Sequence, residues 1–173
     1  PLEQLYRDQR LNMIHEGTEA IHGIDLLGRK VLAEQGAGLR LFVDTVRQDA
    51  GRASEAGLGD EAAALCAALD RLVEVSAGLA ALQRSEPDLG LANATLYLDA
   101  FGRVTLAWIW LLQGRAAARA VPAASGEAAD HYRGKLQAMR YFFQWELPQT
   151  HAQPALLARA DRCAYDMRDA WFI

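Results

Sequence analysis

The stretch DAFGRVTLAWIWLL, residues 99–112, decides the fold class. From Val104 to Leu112 it is apolar on nearly every side of a helix, a pattern found in membrane spans and in the central helices of large cores. Asp99 and Arg103 interrupt the apolar run well short of the roughly 20 residues a bilayer needs. They stand four apart, the spacing at which opposite charges pair on one helix face. The run therefore reads as the buried central helix of a bundle, within one helix over residues 88–121. Its neighbours must supply the helices that surround it.

Composition agrees with that reading. Ala and Leu make up about a third of the 173 residues, whereas Val and Ile together number only about a dozen. Ala and Leu lose little on entering a helix, and β-branched residues are the usual strand builders. An all-β fold is excluded. The net charge of −4 leaves no basic field to attract nucleic acid. Two widely separated cysteines, Cys66 and Cys163, fit neither a disulfide framework nor a zinc site and read as small buried hydrophobes. Without a signal peptide, the chain is expected in the cytoplasm. The first residue is Pro1 and residues 2–8 already look helical, so the chain is expected to start within something longer.

Working outward, residues 2–14 place Leu2, Leu5, Tyr6 and Ile14 at helical spacing, with Glu3 and Arg7 able to pair. Gly17 breaks that helix and Thr18 is a good cap for the next. The second helix carries Ile21, Ile24, Leu27, Val31 and Leu32, with Gly28 on the same side, and ends at Gly36 and Gly38. A third shows Leu39, Phe42, Val43 and Val46, followed by a glycine-rich loop over residues 51–59. Asp60 and Glu61 open a long helix with the stripe Leu65, Leu69, Leu72, Ser76 and Leu79. Ser85 is a candidate cap for the central helix, with Pro87 in its first turn. Ser125 caps a helix bearing Tyr132, Leu136, Met139, Phe143 and Leu147, which stops at Pro148. A last helix after Pro154 carries Leu156, Ala160, Cys163 and Met167. The expected fold is all-α, a bundle of about five to six helices.

Few residues offer chemistry. Glu19 and His22 have the i, i+3 spacing of di-iron carboxylate bundles, but no second such motif follows, since Glu127 and His131 are wrongly spaced. No metal is expected. There is no Gly-x-Ser-x-Gly elbow and no Gly-x-Gly-x-x-Gly phosphate cradle. The aromatic group Trp108, Trp110, Tyr141, Phe142, Phe143 and Trp145 reads as core and interface. Only His15-Glu16-Gly17-Thr18 stands out.

Tyr6-Arg7-Asp8-Gln9-Arg10, then Ile14-His15-Glu16-Gly17-Thr18-Glu19-Ala20-Ile21, resembles the C-terminal signature of the acyl-CoA dehydrogenases. Asp25-Leu26-Leu27-Gly28-Arg29-Lys30 resembles the larger bacterial branch with an additional C-terminal domain. Asn93-Ala94-Thr95, Tyr97-Leu98, Gly134-Lys135-Leu136 and Glu146-Leu147-Pro148 resemble that added helical domain.

The resemblance implies that residues 1–35 close the dehydrogenase's helical domain and that residues 36–173 are the added bundle. It implies a flavin enzyme, with FAD as cofactor and an acyl-CoA thioester as substrate. Glu16 matches the base that removes the α-proton while the β-hydrogen leaves as hydride. Gly17 matches a position where the backbone approaches the substrate, and Thr18 one that contacts the cofactor. His15 stands where the family usually has Tyr, and Ala20 where several relatives have Gln or Glu. The implied partners are an electron acceptor, the remaining domains of the same chain and a second copy in a homo-oligomer. The segment alone is expected to be inactive, because most cofactor contacts would precede Pro1. Two alternatives stay open: a free-standing helical interaction module, and a degenerate dehydrogenase relative.

Overall fold

The computed structural model describes residues 2–13 and 18–172, which form helices and turns with no strand among them. Among these residues the α-helices are α1 (Leu2–Arg10), α2 (Glu19–Ile24), α3 (Ala37–Glu55), α4 (Gly59–Ser85), α5 (Pro87–Leu91), α6 (Ala94–Ala120), α7 (Gly126–Tyr141) and α8 (Ala152–Ala158). The all-α bundle expected from the sequence is the fold observed.

Helix α6 is the axis of the bundle, packed by α2, α3, α4, α7 and α8. Its inward face is Tyr97, Ala100, Val104, Ala107, Leu111, Gly114 and Ala117, all buried. Small residues at this face let neighbouring helices approach closely. At Gly114 an added Cβ would lie 2.1 Å from Met139 Sδ of α7, so any larger residue would force the Met139 side chain to move. Helix α4 buries the whole predicted stripe, with Leu65, Leu69 and Leu72 at 0–1% exposure. Burying each such leucine is worth about 2 kcal/mol. Ser76 interrupts the stripe without penalty because its hydroxyl donates to the Leu72 carbonyl (2.6 Å) and lies 2.7 Å from the Tyr97 hydroxyl.

Several local expectations change. The second helix is α only to Ile24 and continues as a π-helical turn over Asp25–Val31. Gly23, Leu27 and Val31, four apart, face the core, because the widened turn keeps residues at that spacing on one side. Ile21 and Ile24 flank the contact and are exposed. The chain then reverses through Glu34, Gln35 and Gly36, all at positive φ, while Gly38 lies inside α3. Residues 51–55 are helical, not loop, since Ala53 packs into the core, and Gly57 at φ +86° makes the turn.

The predicted helix over residues 88–121 is two helices. Gly90 of α5 presses so closely on Gln83 that an added Cβ would lie 2.4 Å from its Cγ. The chain thus folds back on α4 before Asn93 starts α6. Ser85 does not cap; its hydroxyl donates to the Leu82 carbonyl, and Glu86 holds the cap position. Ser125 and Thr18 stand at cap positions without a side-chain cap bond. Helix α7 buries Met139, and the π and 3-10 turns that follow it bury Phe143 and Leu147. The last helix ends at Ala158 because Ala160 is left-handed, at φ +49°. Cys163 and Met167 are therefore exposed, and Cys66 is only partly buried. Burial and the Asp70 charge together push the Cys66 thiol up.

Candidate functional site

Of the residues the sequence singles out, His15, Glu16 and Gly17 lie outside the described residues, as does Ile14. Thr18 is described: it is half-buried and immediately precedes α2, and its carbonyl accepts the His22 N–H at 2.9 Å. The position of this helix is fixed by contact with α6. A Cβ added at Gly23 would stand 2.6 Å from the Ala94 carbonyl oxygen and 3.0 Å from the Thr95 nitrogen. The segment that follows the Glu16 motif is thus seated directly on the first turn of the central helix. Leu27 and Val31 then continue into the same core as α3, α4 and α6. Sequence reading missed Gly23, although a glycine inside a helical pattern is a signal of close packing.

Elsewhere two polar networks tie the bundle's helices together. Asp49 accepts from Trp108 Nε1 (3.1 Å) and pairs with Arg52 (3.2 Å) and Arg115 (3.6 Å). Arg103 joins Asp99 (3.1 Å) to Glu146 (2.9 Å), so the pair foreseen within one helix also ties α6 to the segment after α7. Burial alone would lower the Arg103 pKa, but hydrogen bonds and charge from Asp99 and Glu146 outweigh it and raise it. Burial pushes the Tyr97 phenol up to about 12, against a smaller opposing effect of its bond to Ser76. That phenol stays protonated and acts as a strut. These networks hold helices together; none sets a nucleophile beside a base. Glu19 and His22 are exposed, and no cluster of three or more His, Cys, Asp or Glu side chains converges among the described residues.

Among the described residues, two open surfaces stand out. A groove of about 730 Å³ runs between α4 and α8, floored by Val75, Leu79 and Leu157 and bordered at one end by Arg71. The Nε of Arg71 is buried with no hydrogen-bond partner. On another side, Leu106 and Ile109 of α6 and the stacked pair Tyr141 and Trp145 are exposed, Trp145 by 64%. Behind them Trp110 packs on Phe142 and carries the Lys135 ammonium over its ring. The predicted core-and-interface aromatics thus divide: Phe143 is buried, while Tyr141 and Trp145 face outward.

Residues 42–168 match the model of a family described as acetyl-CoA dehydrogenase C-terminal like. The chain belongs to this family. It is 33% identical over 159 residues to a 3-methylmercaptopropionyl-CoA dehydrogenase of Ruegeria pomeroyi, a match covering 87% of this chain and 26% of that protein. It is 26% identical over 182 aligned positions to a broad-specificity linear acyl-CoA dehydrogenase of Mycobacterium tuberculosis, covering 99% of this chain and 30% of the relative. The chain therefore spans less than a third of the length of these relatives. The resemblance to the C-terminal portion of acyl-CoA dehydrogenases is upheld, with the family match centred on the helical bundle. No helix among the described residues is long and apolar enough to cross a membrane.

Proposed function

We propose that this chain is the C-terminal portion of a flavin-dependent acyl-CoA dehydrogenase that desaturates the α and β carbons of an acyl-CoA thioester. The observation that carries the reading is the family match over residues 42–168, with the Glu16-Gly17-Thr18 motif upstream of it in the same chain. Residues 1–35 close the helical domain of the dehydrogenase, and residues 36–173 are the added bundle. Glu16 takes the α-proton, a role suited to a carboxylate once the thioester carbonyl is polarised by hydrogen bonds. Gly17 allows the backbone to approach the thioester closely.

Thr18 fits a cofactor contact in its chemistry. It is a half-buried hydroxyl residue at the start of α2, whose first backbone N–H groups have no acceptor within the helix. A bound FAD supplies the two-electron sink that receives the β-hydrogen. The outward aromatic side of α6 and α7 packs on the remaining domains of the same chain or on a second copy. An electron acceptor completes the cycle, and the enzyme works in the cytoplasm. The 173 residues alone neither hold flavin nor turn over substrate.

The test uses the longer protein containing this chain. Purified, it should show a stoichiometric flavin absorbance band and oxidise acyl-CoA with an artificial acceptor. Glu16→Gln should keep the band and lower turnover by at least about a thousandfold, in line with loss of an essential base. A flavin-free longer protein would favour the interaction module. A flavin-loaded protein inactive with every acyl-CoA would favour the degenerate relative.

A further inference from the structure

The geometry points to a second ligand site, separate from the Glu16 motif: the groove between α4 and α8 binds a long-chain carboxylate, with Arg71 taking its head group. Along α4 the groove extends from Arg71 to Ser85, about 21 Å at the rise of an α-helix, which is room for a long alkyl chain. Its walls are apolar and largely small: Leu79 and Gly78 on α4 face Ala155 and Ala158 on α8. The short side chains keep the cleft between the helices open. A volume of about 730 Å³ falls in the range of small-molecule sites.

Charge selects the ligand. Arg71 makes no ion pair or hydrogen bond among the described residues, and its Nε is buried without a partner. Arg103 and Arg115, half-buried like Arg71, are by contrast paired with carboxylates. A partly buried, unpartnered guanidinium at one end of an apolar groove matches an amphipathic anion, and its planar fork suits a carboxylate. His151 lines the same end. Glu74 also lines it, and does not pair with Arg71. It therefore opposes the ligand and sets a limit on affinity.

The test is calorimetric titration of the full chain with dodecanoate, dodecanol and dodecyltrimethylammonium, each below its aggregation limit. One dodecanoate should bind, at least tenfold tighter than either of the others. Arg71→Met should erase that preference, and Glu74→Gln should strengthen dodecanoate binding several-fold. Gly78→Phe should block all three ligands, because a Cβ at Gly78 meets nothing within 4 Å and the ring is free to enter the groove. Removing a glycine from a helix interior favours folding, so circular dichroism should show that variant intact. Absence of saturable binding overturns the proposal, as do equal affinities for the three ligands or binding that survives Gly78→Phe. Because no flavin or acyl-CoA enters the assay, the result is independent of the Glu16 reading.

Discussion

Helices α1 and α4 carry similar sequence instructions and meet opposite ends. Both place leucines at helical spacing. In α4 every residue of the stripe from Leu65 to Leu79 is buried. In α1 Leu2, Leu5 and Tyr6 are all exposed, Leu2 by 81%, although Glu3 and Arg7 pair as foreseen. Periodicity identifies the face that a helix offers to a partner; it does not supply the partner. For α4 that partner is α3, α6 and α8 of the same bundle.

The contrast can be broken by substitution. Leu69→Ala should cost 2–5 kcal/mol in urea unfolding, because it opens a cavity at a site of 0% exposure. Leu5→Ala in the same chain should change stability by less than about 0.5 kcal/mol. A large effect at Leu5 would mean that α1 packs on the bundle in solution.

The junction between these regions is Gly23. Gly23→Ala should destabilise by about 1–3 kcal/mol through overpacking against Ala94, and hydrogen exchange should speed up over residues 19–31. Gly51→Ala, where an added Cβ meets nothing within 4 Å, should instead stabilise by about 0.5–1 kcal/mol. Equal effects at the two glycines would remove the argument that α2 is seated by close contact.

Tyr97→Phe should cost about 1 kcal/mol near pH 7, through loss of the bond to Ser76. Its larger signature is at high pH. The folded phenol titrates at about 12, above the ordinary value of 10. The unfolded chain therefore releases this proton first, and stability falls as pH rises from 10 towards 12. That portion of the alkaline decline should be missing from the Phe variant, as read by unfolding midpoints across pH 8–12.

Much of the fold was legible because helices report themselves locally. The apolar run at residues 104–112 foretold α6, and the Asp99–Arg103 pair formed as spaced. Misreadings arose where a local signal met a packing constraint. The glycines at 51–59 suggested a loop, yet the burial of Ala50 and Ala53 carries α3 to Glu55. The single helix over residues 88–121 failed because Gly90 has to accommodate Gln83. The candidate site was legible differently. Glu16 and Gly17 stood out through a motif, while the Arg71 groove gave no such signal, since its lining comes from helices some seventy residues apart.

By itself the sequence determined the helical class, the central helix and the buried stripe of α4. Each of these rests on residue type and spacing along one element. Only the tertiary structure decided that α2 is locked to α6 through Gly23. It also decided that Arg71 is left without a carboxylate and that the last helix stops at Ala158. The physical reason is common to all three. They depend on close contact, or its absence, between residues distant in sequence, and such contacts are set by how the helices pack.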